Sequence, residues 1–306
     1  MAYGSVAEAR SDPVPSLVAK VRGYVALTKP RIIELLLVTT LPTMVVAQRG
    51  LPPASLMLWT LVGGTLAAGG ANAINMVLDR DIDAVMHRTR NRPLVTGVMS
   101  PGAALTFAVS LEVAAFALLA WQVNLLSAVL AVAATLFYVF VYTLWLKRST
   151  SKNIVIGGAA GAVPVLVGWS AVTGSLGWAP VVLFGIILCW TPPHTWALAV
   201  KYRDDYRAAD VPMLPSVVTL RATSVQIVVY TVVLWAVTLG FAAVASMGAL
   251  YLVSALALGA AFTVLAVRLL LDPTPARAMR LFAWSISYIS LLFGAMALDQ
   301  LARSGF

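Results

Sequence analysis

The sequence predicts an all-α fold, a polytopic membrane bundle, and three observations carry that prediction. Of 306 residues, 60% are hydrophobic and 11% charged, more apolar surface than a soluble domain of this size can bury. The apolar residues gather into windows of about twenty, the length a helix needs to cross a hydrocarbon core. Lys and Arg fall almost wholly in alternate connections between those windows, the pattern that sets orientation in a membrane.

Taken in order, residues 1–28 contain Glu8 and Asp12 and lack both an apolar signal core and an acid-free, Arg-rich transit pattern. They read as a flexible cytoplasmic leader. Nine spans follow, at 31–48, 54–77, 101–121, 124–146, 153–172, 179–200, 222–246, 248–271 and 277–301, within a single domain over 29–303. Between the third and fourth spans Trp121, Gln122 and Asn124 interrupt the apolar run, and one helix through both would overshoot the bilayer, so a tight turn is expected. With the N-terminus cytoplasmic, all of the 21 basic residues except Arg49 and Arg303 lie on the cytoplasmic side. The formal charge of +9 is then an orientation signal and a source of phosphate ligands, with no sign of nucleic-acid binding. Cys189 is the one cysteine, which excludes an internal disulfide or a thiolate cluster and leaves it a packing role. No repeat of 20–50 residues is visible. A bacterial cytoplasmic membrane fits this pattern.

The chemistry-bearing residues lie in the cytoplasmic connections. Asn72, Asn75, Asp79 and Asp83 recur at helical spacing and share one face, while Asp81 points away, toward Arg80, Arg88, Arg90 and Arg92. Two carboxylates about 6 Å apart repel by roughly 3 kcal/mol at an effective dielectric near 20, so a cation, a divalent metal, is expected between them. A later connection contributes Lys147 and Arg148 after Tyr138 and Tyr142, and another holds His194, Lys201, Asp204, Asp205 and Tyr206. Acids surrounded by Arg and Lys on one membrane face suit a diphosphate bound through Mg²⁺, with hard oxygen ligands on the metal and cations on the remaining phosphate charge. Departure of that diphosphate from an allylic carbon leaves a carbocation, which needs a dry, aromatic-lined chamber. Prenyl transfer follows from these parts.

Asn75-x3-Asp79-x3-Asp83 resembles the first signature of the UbiA-type intramembrane prenyltransferases, whose helix count the nine spans match. Within that superfamily, Thr28-Lys29-Pro30-Arg31, the run from Asp81 to Leu94, Tyr142-Thr143-x-Trp145-Leu146-Lys147-Arg148, Asn153 to Gly158 and Trp190-Thr191-Pro192-Pro193-His194 look like the branch that farnesylates protohaem IX. The likeness extends over the chain after residue 24. It implies a UbiA-like bundle around a central cavity, farnesyl diphosphate and haem b as substrates, haem O as product, and Mg²⁺ as cofactor. Haem A synthase, which would use that product, becomes a candidate partner beside the lipid bilayer. Asp79, Asp83, Asn75 and Asp205 become the metal ligands. Asn72, Arg88, Arg92, Lys147, Arg148, His194, Lys201, Asp204 and Tyr206 become substrate contacts, with Tyr142 beside the reacting carbon. One departure stands out: where other members carry a second Asp-x3-Asp motif, Tyr202 and Tyr206 occupy those places and the acids are Asp204 and Asp205.

Each residue also has a plain reading. Arg88, Arg92, Lys147 and Arg148 serve orientation whether or not they touch phosphate. His194 is a core group, a haem-iron ligand or a proton acceptor, and His87 reads as exposed. Tyr138 and Tyr142 are packing aromatics or stabilisers of a cation. Glu112 falls near mid-membrane, where an ionised carboxylate costs about 3 kcal/mol, so it is protonated, hydrogen-bonded or faces a polar cavity. The alternatives are another prenyl acceptor, such as a quinone precursor or a chlorophyll-like ring, and a transporter, whose pathway would also use intramembrane acids.

Overall fold

The computed structural model describes residues 16–305, so Glu8 and Asp12 of the expected leader lie outside it. Its first helix, α1 (Leu17–Thr28), starts where the Ser16 hydroxyl accepts the Ala19 N–H. Residues 17–28 of the expected leader thus form a helix, with Gly23 and Leu27 buried. Lys29 breaks the chain with φ 52°, and Pro30 opens α2 (Pro30–Gln48) at the position where a missing N–H costs nothing.

α3 (Ala54–Leu78) and the short α4 (Arg80–Val85) lead through a turn-rich segment to α5 (Pro101–Gln122), which Ser100 caps. The expected tight turn follows, with Asn124 accepting the Ser127 N–H at the start of α6 (Leu125–Leu136). α6 runs on as a π-helix (Phe137–Leu146) and ends in α7 (Lys147–Ser149). The wider helical turn shows in Thr143, whose hydroxyl donates to the Tyr138 carbonyl five residues back. Then come α8 (Asn153–Thr173), α9 (Trp178–Lys201), the short α10 (Arg203–Ala208) and α11 (Leu214–Val217), α12 (Leu220–Val244), α13 (Ala249–Leu271) and α14 (Pro275–Ser304).

Among the described residues, eight helices are long and apolar enough to cross a membrane, not nine. The expected first span falls on α2, whose apolar stretch among the described residues is Leu37–Gln48. The largest core cluster joins α9, α12, α13 and α14 through Leu183, Ile186, Phe241, Tyr251, Phe262 and Tyr288.

In lipid, apolar burial does little to hold helices together, and polar contacts between them take over part of that task. The Tyr251 hydroxyl donates to the Thr238 carbonyl, Trp190 Nε1–H donates to Ser285 O, and Asn124 Nδ2–H donates to Ser170 O. Asp299 of α14 is buried and accepts the Gly248 and Tyr251 N–H groups, so it caps α13 from the side. Glu112 accepts from Thr135 of α6 at 3.1 Å. It lies so close to Gly70 of α3 that a Cβ there would meet its Oε1 at 2.7 Å.

Between α2, α3, α6 and α8 lies a cavity of about 190 Å³. Its wall is almost wholly apolar and small, with Ala68, Gly64 and Gly161, and Asn72 and Tyr138 stand in the same lining.

Candidate functional site

At the end of α3 the helix changes course at Asp79 (φ −89°, ψ 6°), but the bond from Asp83 N–H to Asp79 O, 2.8 Å, keeps the four-residue register. Asn72, Asn75, Asp79 and Asp83 are all buried, with Asp79 fully enclosed. Asn72 is part of the cavity wall, and its Nδ2–H donates to the Thr28 carbonyl. The acidic centre therefore begins two helical turns beyond the cavity lining.

Each carboxylate has its own cation. Asp79 Oδ2 accepts from Lys147 Nζ at 2.5 Å and from Asn75 Nδ2 at 2.7 Å, and Asp83 Oδ2 accepts from Arg92 at 2.5 Å. Charge repulsion between the two acids is thus relieved by side chains, and it does not by itself call for a metal. Asn75 is held from both sides, by Lys29 Nζ on its Oδ1 (2.8 Å) and by the Thr143 hydroxyl accepting its Nδ2–H (3.1 Å). Sequence reasoning placed neither Lys29 nor Thr143 in the site. The available signal was their place in motif segments, Lys29 before a helix-opening proline and Thr143 one residue after Tyr142. Enclosure of the Lys29 ammonium, reinforced by neighbouring Arg92 and Lys147, pulls its pKa from 10.5 down to about 7.

Asp81 faces Arg148, not the Arg80 to Arg92 cluster. The guanidinium holds Asp81 at 2.7 and 2.8 Å, and the hydrogen bond lowers the carboxyl pKa to about 2. The same Arg148 reaches within 3.9 Å of Asp79 Oδ1. His87 is exposed beside Arg90, as expected.

The second centre is looser. Asp205 Oδ2 accepts the Arg88 backbone N–H at 3.0 Å, which ties α10 to the connection after α4. Tyr206 is buried, and burial raises its pKa despite nearby Arg88 and Arg92. Arg88 lies 5.2 Å from the centre of the Tyr202 ring and Lys201 5.4 Å from it. Asp204 is not brought into the site: its side chain is 83% exposed and pairs with Arg203 and Arg207. Adjacent residues on one helical turn diverge by about 100°, so only one of the two acids can face inward.

The aromatic walls come from α6 and its π-helical extension. Tyr138 and Tyr142 stack at 5.5 Å with an interplanar angle of 14°, and Gly157 of α8 makes room, since a Cβ there would collide with the Tyr142 ring. His194 sits between the rings of Trp190 and Phe282, at 4.2 and 4.7 Å. Ser285 Oγ donates to the Phe282 carbonyl and therefore accepts from His194 Nδ1–H, which leaves Nε2 with its lone pair.

Among the described residues, no three His, Cys, Asp or Glu side chains converge as a ready-made metal site. Asp79 Oδ1, however, is buried and accepts no hydrogen bond. A free carboxylate oxygen with a second carboxylate one turn away fits Mg²⁺, which uses one or two protein carboxylates and takes its other ligands from phosphate and water.

The UbiA prenyltransferase family model matches residues 36–292. This chain belongs to the UbiA prenyltransferase family. Curated relatives named protoheme IX farnesyltransferase include that of Frankia casuarinae, 53% identical over 92% of this chain and 99% of the relative. That of Streptomyces coelicolor is 50% identical over 93% and 92%, and that of Gloeobacter violaceus 54% identical over 94% and 95%. Among solved structures, digeranylgeranylglyceryl phosphate synthase superposes with a TM-score of 0.76 at 17% identity, covering 92% of this chain and 99% of that one. A UbiA homologue from Archaeoglobus fulgidus, solved with DMAPP and Mg²⁺, superposes with a TM-score of 0.58 at 16% identity, covering 88% and 99%. At those identities the structures show the fold, and the fold is that of the family.

Proposed function

We propose that the protein transfers a farnesyl group from farnesyl diphosphate to a vinyl group of protohaem IX, with addition of water, giving haem O and diphosphate. It would do so in a bacterial cytoplasmic membrane with the acidic end toward the cytoplasm, where the basic connections lie. Haem A synthase is the candidate recipient of the product. Family membership and the shared name of the close relatives support the reaction. The observation that carries the site assignment is Asp79, a fully buried carboxylate with one oxygen engaged by Lys147 and Asn75 and the other without a hydrogen bond, two turns beyond the apolar cavity.

In this reading Asp79 and Asp83, with Asn75 beside them and Asp205 across the site, hold Mg²⁺, which when bound neutralises charge on the diphosphate and makes it a better leaving group. Arg88, Arg92, Lys147 and Arg148 supply the remaining positive charge. Lys201, at the exposed end of α9, assists at the rim. The C–O bond of the allylic diphosphate breaks with its electron pair going to the leaving oxygen. The vinyl π electrons form the new C–C bond, and the cation left beside the pyrrole ring takes a water oxygen and loses a proton. Tyr138 and Tyr142 present ring density along the wall where the allylic cation forms, and the apolar cavity keeps other water away. Each CH₂ of the farnesyl tail sheltered there contributes about 0.8 kcal/mol to binding. His194, with its Nε2 lone pair free, belongs on the acceptor side.

Purified protein incubated with haem b, farnesyl diphosphate and Mg²⁺ should yield haem O by mass. Farnesylation of a quinone precursor instead, or recovery of both substrates intact, would overturn this reading.

A further inference from the structure

Asn153, the first residue of α8, is fully buried, yet neither polar atom of its amide has a partner: Oδ1 and Nδ2 both lack a hydrogen bond. A buried amide with two unmet groups is a cost in the ligand-free protein, and such groups in native sites are commonly met by something that binds. Its direction is set by helix geometry. At 100° per residue, the α8 residues that line the cavity, Ala160, Gly161, Val163, Pro164 and Val167, spread about 80° to either side of the direction of Asn153. The amide thus lies in the middle of the cavity-facing stripe, at its outer end. One turn inward, Gly157 meets the Tyr142 ring, and the next residue, Thr143, accepts the Asn75 Nδ2–H at 3.1 Å. Asn153 therefore stands on α8 at the end of the cavity nearest the acidic centre. No side chain caps the first turn of α8, so its N–H groups and helix dipole add positive potential at the same place.

We propose that Asn153 is a substrate-binding residue whose Nδ2–H group donates to an anionic oxygen of the bound substrate, either a diphosphate oxygen of the prenyl donor or a propionate oxygen of the tetrapyrrole. Its Oδ1 accepts from a water hydrating that anion. The inference rests on the functional reading above and adds a second wall to the anion site, contributed by α8 in addition to the α3 and α10 sides.

The test uses Asn153→Ala in the full-length detergent-solubilised protein, with affinity for farnesyl S-thiolodiphosphate plus Mg²⁺ and for haem b measured separately. Loss of about tenfold in one affinity, with no fall in the melting temperature of the ligand-free protein, is expected, since the removed amide has no partner to lose. Weaker thiolodiphosphate binding assigns the contact to the donor, and weaker haem binding assigns it to the propionate. Asn153→Asp, of the same size but without the donor and with a negative charge, should lose more than a hundredfold in that same affinity, and it serves should the alanine variant fail to fold. Both affinities unchanged in a folded variant, with wild-type turnover intact, would overturn this inference alone and make the amide structural. Wild-type protein that leaves farnesyl diphosphate intact would overturn the functional reading and the inference with it.

Discussion

Removing the charge of Lys147 should unbalance Asp79 in a way that can be measured without any substrate. The pair is nearly dry, with side-chain exposures of 14% and 1%. Breaking a buried pair by deleting one partner costs about 3–5 kcal/mol. Two features reduce that here: Arg148 remains 3.9 Å from Asp79 Oδ1, and Asn75 still donates to Oδ2. Lys147→Met should therefore destabilise by about 2–3 kcal/mol, which for 306 residues is a fall of roughly 4 °C in melting temperature. Adding Asp79→Asn should restore most of the loss, because an amide needs no counter-charge. Mg²⁺ with a farnesyl diphosphate analogue should also raise the melting temperature of the Lys147→Met protein, by binding the folded state. Thermal unfolding in detergent, followed by circular dichroism, reads all of these. A single variant as stable as wild type, or a double variant no more stable than the single, would refute the reasoning that Lys147 compensates a buried carboxylate.

Three further substitutions separate the site from its surroundings. Asp204→Ala should leave turnover unchanged and stability within about 0.5 kcal/mol, because the side chain stands in solvent beside Arg203 and Arg207; a large fall in turnover would return this acid to the site. Asp299→Ala should cost about 1–2 kcal/mol, through the N–H groups of Gly248 and Tyr251 that it caps, with kcat unaffected. Gly157→Ala should push Tyr142 off the α8 surface, costing about 1–3 kcal/mol and lowering turnover, as measured by melting and haem farnesylation together.

The Asn75, Asp79, Asp83 register was legible because a 3.6-residue period converts spacing directly into a shared face, and the α3 to α4 junction preserves it. The partners of that face were not. Lys29 reaches Asn75 across 46 positions and Lys147 reaches Asp79 across 68, distances over which periodicity carries no information. Asp81 illustrates the same limit: its direction away from the site was readable, but its partner Arg148 comes from another helix. The π-helical turn between Phe137 and Leu146 leaves no mark in composition, although it positions Tyr138, Tyr142 and Thr143. Hydropathy found the spans because each window of about twenty apolar residues falls on a helix, the first of them on α2.

The central claim is that Asp79 and Asp83 hold a metallated diphosphate. Binding of farnesyl S-thiolodiphosphate to purified protein, titrated with Mg²⁺ present and then with all divalent ions chelated, tests it directly. Wild-type protein should bind at least about a hundredfold more tightly with Mg²⁺, a coupling of roughly 2.7 kcal/mol, and Asp79→Asn should lose that dependence. Equal affinity with and without divalent ions, or full Mg²⁺ dependence retained in Asp79→Asn, would contradict the account.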